Sequence, residues 1–369
     1  MVLVHYWGRY WLVYQLLRTA KDMILAFYVF LAMGIMQILF GLYQVLAGAL
    51  NHYRGWRLPI GYMGMVHKEY INSVWGRPYG TQVEPDFYGA ICMVFALIFI
   101  ILFFSKGGGK KWQCAGALLS LLGLYFSFVR VSWLAFLLVL LLLPFCRKKI
   151  SFFKLNWLSV LLIIGSIAGA SAAAFYAVAP IRQICQARLA TRLPANVKKA
   201  EAWKKNDSLL NVENVRLNLI QVSIRTWKEH PFLGAGPGSF AYSRWRFNLG
   251  KAGARQKVAE NAYPQTNPSL LFTVLEDSGL LGFFVIMIMA AKFVFLNYKK
   301  IAGPKPLLAP QTFALAVGLA ALLLTYMLTN GLWLPLSWVL LGLATAHLRE
   351  FPDRNDGPGT AGPHGDPCA

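Results

Sequence analysis

Acidic residues are scarce in this chain. Its 369 residues hold 15 Asp and Glu against 36 Lys and Arg, a formal net charge of +21. Charged residues of both signs make up only 14% of the chain, 57% is hydrophobic, and the mean hydropathy is +0.49. So little charge on so apolar a chain excludes a water-soluble globule. The basic excess points to a multi-pass membrane protein that meets anionic lipid or an anionic substrate. Paired cysteines are missing as well. Cys92, Cys114, Cys146, Cys185 and Cys368 stand singly or in apolar runs without CxxC spacing, which excludes a disulfide framework and a thiolate metal site. There is no DxD pair, no HExxH and no outward cluster of His and carboxylates, so neither metal nor cofactor is expected. The start shows no cleavable-leader pattern, and the first apolar segment is expected to stay in the product. No fixed-period repeat or heptad run is present.

What the chain does have is long apolar runs, about eight of them, set against the roughly 20 residues a spanning helix needs. The clearest are residues 23–50, 87–105, 157–178 and 270–297. The block 112–145 is interrupted only by Arg130 and reads as two short spans hinged there. The block 311–348 breaks around "TNGLWLP" and reads as a helical hairpin. Residues 1–22 carry Arg9, Arg18 and Lys21 and read as an interfacial helix or a truncated span. Residues 23–348 form the polytopic membrane domain. The tail 349–369, rich in Pro and Gly, reads as disordered and cytoplasmic.

Orientation follows from the short loops. "KGGGKK", "CRKKISFFK" and "NYKKIAGPK" are strongly basic and fall on one side, which the positive-inside rule makes the cytoplasm. Residues 51–86 and 179–269 then face outward, the second being one long outer loop between spans five and six. That loop holds fifteen Lys and Arg against five Asp and Glu. Two readings stand: a basic surface lying on anionic headgroups, or a site for a multiply anionic substrate.

Within the long loop lies "HPFLGAGPGSFAYSRWRF", residues 230–247. Its glycines allow backbone N–H groups to converge on an anion. The Gly-Lys-Ser/Thr ending of a nucleotide loop is absent, however, and no strand precedes it. It reads instead as a rigid turn ending the helix "NVENVRLNLIQVSIRTWKEHP", whose Val215, Leu219, Val222 and Trp227 share roughly one face before Pro231 stops it.

Four stretches in order give the turn its context. They are "RPYGTQVEPDFYGA" (77–90), "FVRVSWLAFLLVLL" (128–141), "RLNLIQVSIRTWKEHPFLGAGPGSF" (216–240) and "TNPSLLFTVLEDSGLLGFF" (266–284). Their order and spacing resemble the O-antigen ligase and polysaccharide polymerase superfamily, bacterial membrane enzymes that transfer glycans from a polyprenyl-diphosphate carrier. The resemblance implies an all-α integral membrane protein of GT-C-like glycosyltransferase architecture in the bacterial cytoplasmic (inner) membrane. It implies an undecaprenyl-diphosphate-linked oligosaccharide as donor, a glycan, lipid or protein as acceptor, membrane lipids as surroundings and no nucleic acid as partner.

In such a reaction negative charge grows on the departing diphosphate, and fixed guanidinium groups lower that barrier. The resemblance points to Arg130 and Arg216. Arg130 also stands out physically, since an arginine alone in an apolar block needs a partner, a wet cavity or a route to the interface. Arg77, Arg225, Arg244 and Arg246 are further candidates for substrate contact, or touch only headgroups. The superfamily's histidine before the acidic-x-Gly-Leu-Leu-Gly signature is missing. Aligning Asp277 to Gly282 with that signature puts Pro268 in its place, with Asn267 beside it. Glu84, with Asp86 two residues on, is the candidate general base. The same "EPD" also makes good helix-start chemistry. His230 reads as part of a helix stop. Glu276 and Asp277 lie too deep in an apolar run to be idle. Trp203, Trp227 and Trp245 suit interface belts and sugar stacking equally. Two other classes fit part of the sequence: a lipid-linked glycan transporter or flippase, and a catalytically degenerate assembly protein.

Overall fold

The computed structural model describes residues 2–54, 78, 85–105, 109–147, 150, 152–177, 208–240, 242–243, 269–301, 309–329 and 335–347. Within these the chain is helical: α1 (Val2–Leu16), α2 (Ala20–Arg54), α3 (Pro85–Phe104), α4 (Lys110–Ser127), α5 (Arg130–Cys146), α6 (Trp157–Ala177), α7 (Ser208–Glu229), α8 (Leu270–Ile301), α9 (Ala309–Leu328) and α10 (Pro335–Ala346). An isolated bridge between Ser105 and Phe153 is the one extended pairing among the described residues. Among the described residues four stretches are long and apolar enough to cross a membrane: Ala20–Ala47, Asp86–Phe104, Leu270–Met289 and Pro310–Met327. The apolar helices over Arg130–Cys146, Trp157–Ala173 and Leu336–Ala346 are shorter. Large apolar side chains such as Leu25, Met33, Met36, Leu161 and Ile288 are exposed, as a protein dissolved in lipid requires. The chain is an all-helical integral membrane protein.

Local chemistry sets the helix starts. Thr19 and Asp22 cap α2 reciprocally: the Asp22 N–H donates to Thr19 Oγ1 at 3.2 Å and the Thr19 N–H to Asp22 Oδ2 at 3.0 Å. α3 begins at Pro85 with Asp86 in its first turn, as the "EPD" start chemistry leads one to expect. α3 is apolar on every side and nearly every residue from Phe87 to Leu102 is buried, which makes it the central helix. It packs against α2, α4, α5 and α9.

Small residues let those neighbours approach. A Cβ on Gly34 or Gly41 of α2 would fall 2.1 Å from the Phe95 ring and 2.3 Å from the Tyr88 ring. On α4, Gly116 faces Phe99 and Gly123 faces Cys92 and Tyr88. Each glycine pair is spaced by seven, so each helix offers α3 one grooved stripe, the usual means of close helix packing where lipid supplies no hydrophobic drive. Tyr88 Oη closes its own contact by donating to the Ile38 carbonyl at 3.0 Å.

The helix termini gather at two ends of the bundle. At one, Lys110 Nζ reaches the Leu102, Phe103 and Ser105 carbonyls at the C-terminus of α3, where a cation opposes the helix dipole. The Lys154 N–H donates to the Phe104 carbonyl at 3.0 Å, so two of the basic loops meet there. At the other end lie the starts of α3, α5, α8 and α10.

Candidate functional site

Arg130 owes its position to a break between two helices. α4 ends at Ser127, Phe128 turns into the left-handed region (φ 53°), Val129 is extended, and α5 starts at Arg130. The hinge anticipated at Arg130 is thus a two-residue turn. Ser127 Oγ donates to the Leu124 carbonyl at 2.7 Å and accepts from the Val129 N–H at 3.3 Å, which fixes the turn. Gly89 of α3 presses on it: a Cβ there would lie 2.8 Å from Val129 Cβ and 2.9 Å from Ser127 Oγ. The N-termini of α3 and α5 therefore sit side by side.

Val129 has no side-chain oxygen, and no side chain caps α5. Its first N–H groups, the positive end of its dipole and the exposed Arg130 side chain occupy one place. That is the composition of an anion site. Among the described residues the buried Ser132 Oγ, two residues on, has no hydrogen-bond partner. Asp86 supplies a carboxylate in the first turn of the adjoining α3. Among the described residues no three His, Cys, Asp or Glu side chains gather as metal ligands would.

A second structure carries Arg216. This residue lies on α7, the helix expected before the glycine turn, and α7 packs on α8. Ser223, one heptad beyond Arg216, donates to Glu276 Oε2 at 2.6 Å. Both residues are buried, and so is Thr226. Leu219, Val222, Ser223 and Thr226 form a stripe with i, i+3, i+4, i+7 spacing. Sequence reasoning noticed its apolar members and missed the two hydroxyls. The readable signal was Glu276 itself, an acid in an apolar run that demands a donor. Ser223→Ala removes such a donor from a buried carboxylate and is expected to cost about 1–3 kcal/mol, seen as a lower melting temperature of the detergent-solubilised protein.

The glycine turn docks on α8 through its backbone. The Ala235 N–H donates to the Glu276 carbonyl (2.7 Å) and the Gly236 N–H to that of Asp277 (3.1 Å). In return the Leu280 and Leu281 N–H groups donate to the Pro231 and Phe232 carbonyls at 2.9 and 3.1 Å. α8 can offer those groups because Gly279 breaks it, with φ 63° and ψ −163°. Gly234 fits only as glycine, since a Cβ would meet the Asp277 and Ser278 backbone at 2.4–2.6 Å. Ser239 Oγ donates weakly to Asp277 Oδ1 at 3.4 Å. The turn is held by these backbone bonds, and its support is the broken helix α8.

These two structures face the same end of the bundle. Ser269, just before α8, donates to the Met327 carbonyl near the end of α9 at 2.6 Å, and Thr325 of α9 meets Met93 of α3. Arg225 is on α7 and exposed. Arg77, Glu84, Arg244, Arg246, Asn267 and Pro268 lie outside the described residues, as do Trp203 and Trp245.

Residues 115–287 match the sequence model of the O-antigen ligase family. That stretch, just under half of the chain, is similar to the O-antigen ligase family. No curated protein matches the chain. The matched stretch runs from α4 through Arg130, α7 and the glycine turn into α8, and leaves out Asp86 and Gly89 of α3. The likeness points to polysaccharide and lipopolysaccharide biosynthesis in a membrane.

Proposed function

We propose that this protein moves or polymerises oligosaccharide from an undecaprenyl-diphosphate carrier at the outer face of the bacterial cytoplasmic membrane. Helices α2–α6 and α8–α10 form the membrane domain in a GT-C-like arrangement, with residues 179–269 outside. The observation that carries this reading is Arg130 at the uncapped N-terminus of α5 within the stretch similar to the O-antigen ligase family. A guanidinium and a set of helix N–H groups together suit a diphosphate. The acceptor hydroxyl oxygen attacks the anomeric carbon from the face opposite the diphosphate, with inversion. The bond from that carbon to the diphosphate oxygen breaks, and its electrons leave with the lipid diphosphate. Arg130 and Arg216 bind the charge so formed. Glu84 takes the hydroxyl proton, Asp86 marks the α3 start beside it, and Arg77, Arg225, Arg244 and Arg246 hold donor or acceptor. The chemistry is metal-independent.

The test is an in vitro transfer assay in nanodiscs with a polyprenyl-diphosphate oligosaccharide donor and EDTA throughout. Longer lipid-linked chains identify a polymerase; transfer to a separate glycan, lipid or protein identifies a ligase. Binding of the lipid diphosphate with no turnover on any donor sinks the enzymatic reading and leaves the transport or assembly one.

A further inference from the structure

The glycine turn points its largest apolar side chains outward. Phe232 is 71% exposed and Leu233 74%, whereas Phe240 at the far end of the turn is buried. Two adjacent large apolar groups on a rigid tip call for a non-aqueous neighbour. The position of the tip along α8 says which. Ser269 is bonded to Met327, the last residue of the apolar stretch Pro310–Met327 of α9. Leu281, whose N–H donates to the Phe232 carbonyl, lies just past the break at Gly279, so α8 does not run straight between the two. From Leu281 onward α8 exposes Phe284, Val285 and Ile288. The tip meets α8 where that helix's lipid-facing surface begins.

Irregular backbone survives at such a depth only if its polar groups are satisfied by protein. Here the Gly234, Ala235, Gly236 and Ser239 N–H groups and the Pro231 and Phe232 carbonyls are paired. Beyond the four bonds to α8, the Gly234 N–H donates to the His230 carbonyl (3.0 Å) and the Ser239 N–H to that of Gly236 (3.1 Å). Exposed Arg225 and Lys228 on α7 precede the tip, an order of cation then apolar group that matches headgroup then acyl chain.

We propose that residues 231–234 form a re-entrant wedge. Phe232 and Leu233 lie among the acyl chains of the leaflet at the Arg130 end of the bundle, and Arg225 and Lys228 lie at its headgroup phosphates. The wedge fixes the height of α7, and with it Arg216, above the membrane. The inference stands apart from the transfer reaction, and its test needs no activity.

Full-length protein carrying photoreactive p-benzoylphenylalanine in place of Leu233 is reconstituted in nanodiscs of phosphatidylcholine and phosphatidylglycerol. It is illuminated and analysed by mass spectrometry. The same residue in place of Ile288 gives the lipid-facing reference, and in place of the exposed Gln221, ahead of Arg225 on α7, the solvent-side reference. Lipid adducts are expected at 233 as at 288, with loss of the signal at 221. Placing the probe at Phe232 repeats the test in an independent protein should the first variant fold poorly. Adducts at 288 with none at 232 or 233 overturn the wedge. So do crosslinks from the tip to another part of the chain or to a second copy.

Discussion

Arg130→Ala is expected to cut glycan transfer by about 10²- to 10³-fold, the loss usual when one donor to a developing anion is removed. The reason lies in what remains. The α5 N-terminus keeps its backbone N–H groups and dipole, because Val129 and the Phe128 turn set them and the Arg130 side chain does not. Donor binding should therefore survive in part, and kcat should fall more than KM rises if the guanidinium acts on charge that grows in the transition state. Arg130→Lys separates charge from geometry. It keeps the cation and loses the planar fork, so an intermediate rate is expected. Because Arg130 is exposed, the melting temperature should move little in either variant. Full activity in Arg130→Ala would remove this residue from the proposed site.

The second large effect concerns Gly279. Its φ of 63° and ψ of −163° lie in a region that only glycine enters readily, where a side chain costs on the order of 1–3 kcal/mol. A Cβ there would also fall 2.3 Å from the Phe232 carbonyl oxygen and 2.6 Å from the Gly234 nitrogen. Neither of these backbone atoms can move aside like a flexible side chain. Gly279→Val should straighten α8, break the four backbone bonds that hold the glycine turn, and release α7. Hydrogen exchange at Ala235 and Gly236 should rise sharply, and proteolysis near residues 230–240 should follow. Gly236→Ala is the matched control. It carries a positive φ of 97° but has open space around it, so its effect should be the smaller. Equal protection in wild type and Gly279→Val would show that the turn does not depend on the break.

The sequence by itself determined the class of protein and the places of its helices. An excess of apolar residues with few acids needs no tertiary contact to mean a membrane, because backbone polar groups in lipid must be satisfied within each segment. For the same reason the apolar runs became helices near the expected limits, α3 began at its Pro85, and the chain bent at Arg130. Those are local events, each written in a handful of neighbouring residues. Three of the four motifs, those at 128–141, 216–240 and 266–284, fall within residues 115–287, which match the O-antigen ligase family.

Tertiary structure alone decided what those helices do to one another. Gly34, Gly41, Gly116 and Gly123 look in sequence like weak points of helices, and only packing shows them as seats for the rings of α3 and the close approach it makes. Gly279 looks like a member of a short signature, and only the fold reveals it as the break that lets α8 bond the glycine turn. Ser223 and Glu276 meet across 53 residues. A helix writes its hydrogen bonds into its own periodicity. A backbone pair between distant segments leaves no such pattern, since every residue type offers the same N–H and C=O and the chain's path alone selects which of them meet.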